Sequence, residues 1–135
     1  VTAGEFSFGL RVYIEDTDAG GIVYYVNYLK FMERCRTEYM RSLGFGKNFI
    51  FTENLMFVVT DVAVQYRRSA KLDDGLLTTA RIMQIGGASM TFFQSVDRGS
   101  EVLAEGEIKI ACVDRSSLKP RRIPKEMLAR LRTQH

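Results

Sequence analysis

The chain has 135 residues, which is room for one domain and little more. With 46 % hydrophobic and 26 % charged residues it can build a packed core, which excludes a disordered chain. The balance of 19 Lys and Arg against 16 Asp and Glu leaves a net charge of +3, too small to imply a nucleic-acid partner.

The excess is local. Lys119, Arg121, Arg122, Lys125, Arg130 and Arg132 crowd the segment after Leu118. Such a cluster can meet phosphates, an acidic protein or a membrane surface, or remain a solvated basic tail. The cysteines, Cys35 and Cys112, have no framework spacing and read as small buried hydrophobes of a reducing compartment. No apolar run approaches the roughly 20 residues needed to cross a bilayer. Nothing reads as a signal peptide, so the expected location is cytoplasmic.

In chain order, residues 6–13 read as a strand, with Phe6, Phe8, Leu10 and Val12 alternating with small or polar neighbours. The Asp- and Gly-rich stretch 16–21 must turn. A helix follows, starting between Tyr24 and Tyr28 and running to about Leu43. Tyr28, Met32, Cys35, Tyr39 and Leu43 form its apolar stripe, and Leu29 and Phe31 widen it, so it is expected to be buried on more than one side. Glu33 with Arg36 and Arg34 with Glu38 have the spacing of ion pairs on its other face. Gly44 and Gly46 end it. Residues 45–54 show no clear periodicity and read as a loop.

From there the period is two. Segments 56–66, 76–84, 89–97 and 102–114 read as strands separated by Asp73-Asp74-Gly75, Gly86-Gly87 and Arg98-Gly99-Ser100. Turns this short imply antiparallel hairpins and a four-strand meander. In the last strand Ala104, Gly106, Ile108, Ile110 and Cys112 share one face. Pro124 opens a short helix through Met127, Leu128 and Leu131. A long helix with a wide apolar surface needs a cover, and the strands offer the only large apolar face. The expected fold is α+β: a curved antiparallel sheet of about five strands wrapped around one long central helix, a single domain over 1–135.

The only histidine is His135, the last residue, which argues against Ser-His-Asp or Cys-His triads and histidine-based zinc sites. No metal or cofactor is implied. A Walker A run is absent, and Gly44-Phe45-Gly46 lacks both the third glycine and the preceding strand of a dinucleotide fingerprint. Carboxylates remain. Asp16-Thr17-Asp18 has a glycine at the sixth position of a calcium loop, Gly21, but Asn27 stands where that loop needs glutamate.

Asp18 precedes a helix whose first N–H groups lack internal partners, and such donors suit a developing oxyanion. A carboxylate can attack a carbonyl or deprotonate a water that does. Thioesters fit, because a thiolate leaves without a strong general acid. Gly20 and Gly21 let the backbone come close, and Ile22, Val23 and Tyr24 can line a pocket. Plain capping by the same turn is the competing reading.

The run YIEDTDAGGIVYYVNYLKFMERCRTE, residues 13–38, resembles the signature of the 4-hydroxybenzoyl-CoA thioesterase family, nearest its Tol-Pal-associated acyl-CoA thioesterase branch. FVVTDVAVQYRRSAKLDDGL, residues 57–76, is similar to the family's second shared block. The resemblance spans nearly the whole chain. It implies the hot-dog fold, hydrolysis of acyl-CoA, and a homodimer with sites at the subunit interface, often paired into a homotetramer. It assigns the essential aspartate to Asp18, the carbonyl-polarising amide to the backbone N–H of Tyr25, and a nearby position to Tyr13.

Some members carry histidine where this chain has Tyr25, so Tyr25 takes a backbone role only. Ser69 stands where proline is frequent, a loop variation. Asn27 contacts substrate or caps the helix. Arg67, Arg68, Lys119, Arg121 and Arg122 are candidates for the coenzyme A phosphates or a solvated face. Tyr24, Tyr28, Met32 and Phe57 line an acyl channel or fill the core. The thiol carrier is coenzyme A or acyl carrier protein, and peripheral contact with the inner membrane is an open partner. The alternative function is a non-catalytic acyl-carrier or envelope-linked acyl-binding protein of the same fold; retention of Asp18 and both glycines weighs against it.

Overall fold

The computed structural model describes residues 4–134, so the lone His135 lies outside the described residues. Strand β1 (Phe6–Arg11) leads through a 3-10 turn (Ile14–Asp16) to helix α1 (Val26–Ser42) and helix α2 (Lys47–Glu53). Strands β2 (Leu55–Tyr66), β3 (Gly75–Ile85), β4 (Ser89–Arg98) and β5 (Glu101–Asp114) follow, then helix α3 (Lys125–Gln134). The strands form one sheet in the order β1-β3-β4-β5-β2, every neighbouring pair antiparallel.

Helix α1 lies on β1, β3 and β4. Most of its stripe is buried as the spacing implies: Tyr28, Phe31, Met32, Cys35 and Tyr39 are enclosed in one core cluster with Ala80, Phe92, Ala104 and Ile108 of the sheet, while Leu29 and Leu43 are half-buried at its border. Enclosing a side chain such as Phe31 or Phe92 contributes about 1.5–3 kcal/mol, so this single interface anchors the fold. The period-two face of β5 also points inward, with Ala104, Ile108, Ile110 and Cys112 buried. Burial pushes the Cys35 thiol up to about 11 and raises that of Cys112, so both behave as apolar filling. Among the described residues no helix is long and apolar enough to cross a membrane.

Four expectations change. The strands are not a four-strand meander: β3, β4 and β5 are, but β2 pairs with β5 and forms the far edge. Segment 67–74 crosses from β2 to β3. Extended, it reaches about 27 Å, ample for the roughly 14 Å of three inter-strand spacings. Asp73-Asp74-Gly75 marks a turn, with Asp73 at φ 71°, but the turn closes the crossing and not a hairpin.

Residues 45–54 are largely helix, not loop. Phe45 is buried and packs on Phe49 at 4.7 Å between ring centroids, and Asn54 ends α2 in the left-handed region at φ 54°. A helix of two turns is too short to announce its period and depends on such packing.

The ion pairs on α1 also differ. Glu38 pairs with Arg41, one turn on, while Arg34 lies over the Phe31 ring at 5.8 Å. Arg36 turns inward and donates to Gln94 Oε1 at 2.8 Å, and Gln94 Nε2 donates to the Met32 carbonyl at 2.9 Å. A buried amide in the sheet outcompetes a solvated glutamate for this guanidinium. Finally, β1 stops at Arg11, so Tyr13 opens the 3-10 turn instead of ending a strand.

Candidate active site

The turn after β1 separates its two aspartates. Asp16 is buried: its Oδ2 accepts the Tyr13 N–H at 2.9 Å, and its carbonyl accepts Tyr24 N–H at 3.1 Å and Asn27 Nδ2 at 2.8 Å. It ties the turn to the start of α1. Asp18 is exposed. Its N–H donates to the Ile22 carbonyl at 2.9 Å and its own carbonyl accepts Gly21 N–H at 3.1 Å, closing a tight loop.

The Gly20 N–H donates to Asp18 Oδ1 at 2.8 Å. One carboxylate oxygen is thereby oriented, while Oδ2 has no partner among the described residues. Gly21 sits at φ +82°, where a side chain is strained. A Cβ at Gly20 would come 3.2 Å from Asp18 Oδ1, so its absence leaves the carboxylate room.

Beyond the turn the chain is stitched to segment 67–74. Ile22 bridges to Lys71, and Val23 N–H donates to the Ala70 carbonyl at 2.9 Å. Tyr25 then caps α1 from a helical conformation. The N–H of Asn27 bonds back to the Tyr24 carbonyl at 2.8 Å and that of Tyr28 to the Tyr25 carbonyl at 3.3 Å. The N–H of Tyr25 has no acceptor among the described residues, as expected of a helix start.

These groups share a cleft of about 330 Å³. Asp18 and residues 22–25 form one wall, Tyr28 lies between, and Tyr66, Arg67, Arg68 and Ser69 form the other. The cleft therefore brings together Asp18, Ile22, Val23, Tyr24, Tyr25, Arg67 and Arg68, with Gly20 and Gly21 in the adjoining turn. Arg67 rests on Glu105 at 3.2 Å and Arg68 on Glu101 at 2.8 Å, both guanidinium groups exposed. An incoming phosphate can take these donors over, since exposed pairs are held weakly.

Tyr13, Asn27, Arg121 and Arg122 do not line this cleft. Tyr13 is exposed, and the Asn27 side chain is committed to the Asp16 carbonyl. Arg121 faces Glu53 at the end of α2, and the Arg122 guanidinium covers Gly87. Tyr66 lines the cleft without having stood out in the sequence. Its ring meets those of Tyr25 and Tyr28, both at 5.7 Å, and burial raises its pKa. The available signal was its place as the last strand residue before Arg67-Arg68.

A second cleft of about 480 Å³ lies at the opposite ends of α1 and β2, between Arg36, Thr37 and Met40 on one side and Met56, Phe57 and Val59 on the other. The start of α2 at Gly46 and Lys47 also opens on it, but no aspartate lines it, so the carboxylate chemistry described above belongs to the smaller cleft.

Residues 12–131 match the thioesterase-like superfamily. The chain is 46 % identical over 125 residues to an acyl-CoA thioesterase YbgC of Haemophilus influenzae, covering 92 % of each chain. It is 41 % identical over 125 residues to an acyl-CoA thioester hydrolase YbgC of Escherichia coli O157:H7, covering 92 % of this chain and 93 % of that one. The crystal structure of a probable thioesterase from Bartonella henselae superposes with a TM-score of 0.85 at 34 % identity, over 89 % of this chain and 99 % of that one. An antiparallel sheet wrapped on one long helix, matched in both sequence and shape, makes this chain a hot-dog-fold member of the thioesterase-like superfamily.

Proposed function

We propose that the protein hydrolyses acyl-CoA to the free acid and coenzyme A at the cleft that holds Asp18. The observation that carries this reading is the meeting, in one cleft, of Asp18, with a carboxylate oxygen free among the described residues, and Tyr25, whose N–H at the start of α1 is likewise unpaired among them. The relatives named acyl-CoA thioesterases support the substrate class.

Two routes share this geometry. In one, Asp18 takes a proton from water while the water oxygen bonds to the thioester carbon. In the other, Asp18 itself bonds to that carbon, and water later cleaves the mixed anhydride. In both, the carbonyl oxygen becomes an oxyanion facing the Tyr25 N–H, and its collapse expels the thiolate of coenzyme A. A phosphate-bearing thiol carrier suits Arg67 and Arg68 on the outer wall. Acyl carrier protein is the other carrier of this chemistry, and the Tol-Pal-associated branch is the proposed place within the superfamily.

The same reading includes assembly. Strand β2 is a sheet edge, and Val59, Val62 and Tyr66 along it are 47 %, 45 % and 43 % exposed. Twofold pairing of two β2 edges is necessarily antiparallel, so it sets the Asp18 cleft of one copy beside the larger cleft of the other. A homodimer of this kind, paired further to a homotetramer, gives the acyl chain walls from both copies. Cytoplasmic location, with peripheral contact of the basic C-terminal segment at the inner membrane, completes the proposal.

The deciding experiment is thiol release from a series of aromatic and short to long aliphatic acyl-CoAs, with Asp18→Asn alongside. Turnover by the wild type and its loss in a folded variant are expected; full activity in Asp18→Asn sinks the proposal. Heavy oxygen from water found in the Asp18 carboxylate after a single turnover marks the anhydride route, with water attacking the Asp18 carbonyl carbon, because the general-base route puts that oxygen only in the released acid.

A further inference from the structure

Segment 67–74, the strap between β2 and β3, touches the reacting elements on both sides. Its Ala70 carbonyl accepts Val23 N–H at 2.9 Å, and Lys71 bridges to Ile22, so it borders the loop that carries Asp18. Its Ala70 N–H donates to the Tyr28 hydroxyl at 2.8 Å, so it also holds the first turn of α1, next to Tyr25. The strap belongs to no strand. At its start, Arg67 and Arg68 N–H share the Leu103 carbonyl at 2.8 and 3.1 Å. At its end, Val12 exchanges bonds with Asp73 and Asp74.

Between those ends one side chain reaches across it. Arg98, the last residue of β4, donates from Nη1 to Asp74 Oδ2 at 2.7 Å and to the Ser69 carbonyl at 3.3 Å. Its Nη2 donates to Glu101 Oε1 at 2.7 Å, and Glu101 in turn holds Arg68 at 2.8 Å. Asp74 Oδ2 also accepts the Lys71 N–H at 2.8 Å, next to the Ile22 bridge. A planar guanidinium can serve these acceptors together; a lysine ammonium is a single point of charge on a flexible four-carbon stem.

We infer that Arg98 is a positioning residue for the Asp18 cleft: it holds the strap where Ala70 and Lys71 set the Asp18 loop against the start of α1. Arg98 itself touches no reacting atom and does not line the cleft. Pairs this exposed add little to global stability, so their removal is felt in geometry first. This inference rests on the thioesterase reading for its kinetic arm alone.

The experiment compares wild type, Arg98→Ala and Arg98→Lys in steady-state thiol release and in amide hydrogen exchange of segments 17–25 and 67–74. Misplacing reacting groups by about 1 Å costs on the order of a hundredfold. Because the Asp18 loop keeps its own bonds, the expected loss for Arg98→Ala is about tenfold in kcat, with KM within about twofold. Exchange should quicken in both segments, and Arg98→Lys should recover part of each effect. Unchanged kcat and exchange overturn the inference. So does a loss that only tracks the unfolded fraction, or a change in KM alone, which would make Arg98 a substrate contact. If the wild type releases no thiol, the proposed function fails and the exchange arm still decides the positioning role. Should Arg98→Ala not fold, Arg98→Lys and Glu101→Gln carry the same measurements.

Discussion

The Tyr28 hydroxyl accepts the backbone N–H of Ala70 at 2.8 Å, joining the first turn of α1 to the strap between β2 and β3. The bond is buried, and burial raises the Tyr28 pKa, so the hydroxyl stays neutral at ordinary pH. Tyr28→Phe keeps the ring against Phe31 and Tyr66 but strands a buried N–H. Such an orphan costs about 1–3 kcal/mol, which urea unfolding should register. The kcat should fall as well, since the strap walls the Asp18 cleft. A variant as stable and as active as the wild type would show that this bond positions nothing.

Asp16 and Asp18 should separate cleanly on mutation. Asp16 is buried and joins Tyr13, Tyr24 and Asn27. Asp16→Ala removes the acceptor for Tyr13 N–H and is expected to cost about 1–2 kcal/mol. Asp18→Asn lies at an exposed loop and should leave stability within about 0.5 kcal/mol of wild type while ending turnover. Thermal unfolding and thiol release on the same two variants check both halves; the reverse pattern would exchange the roles of the two residues.

Much of this arrangement is legible from local pattern. The stripe from Tyr28 to Tyr39 marks α1 because each member faces the same sheet, and the alternation from Ala104 to Cys112 marks β5 for the same reason. What is missing is partnership. Asp73-Asp74-Gly75 signals a turn but carries no information on whether β2 pairs with β3 or with β5, which long-range packing decides. Arg36 carries a helical spacing to Glu33, yet its guanidinium goes to Gln94, a residue 58 positions away. Asp18 was recoverable only because a matched motif chose it over Asp16. Tyr66 reaches the cleft through strand pairing, so no local spacing announces it.

Tyr39 offers a test of burial chemistry. Its hydroxyl is buried without a hydrogen-bond partner among the described residues, and burial pushes its pKa up to about 12. In the unfolded chain a tyrosine titrates near 10, so the unfolded state loses its proton first. Stability is then complete below pH ~10 and falls as pH rises toward the folded value, by about 1.4 kcal/mol for each pH unit in that window. Tyr39→Phe removes this dependence and also removes an unsatisfied polar group. Its expected stability at neutral pH equals or exceeds wild type by up to about 1 kcal/mol, with a flatter decline from pH ~10 to ~12. Parallel alkaline declines in denaturant melts of the two proteins would contradict the assignment.

The β2 edge decides whether one chain suffices for activity. Val62 is 45 % exposed midway along that edge, beside Asp61 and Ala63, which are also exposed. In a monomer, Val62→Glu is a surface change worth within about 0.5 kcal/mol. In a twofold dimer it places like charges close together from both copies, which costs several kcal/mol at an interface. The expected outcome is a shift from dimer or tetramer to monomer in light scattering, with native circular dichroism retained. Activity should fall with it at low protein concentration and recover as concentration rises, because the acyl chain would lose the walls supplied by the second copy. A monomeric variant with full kcat/KM would place the whole site within a single chain.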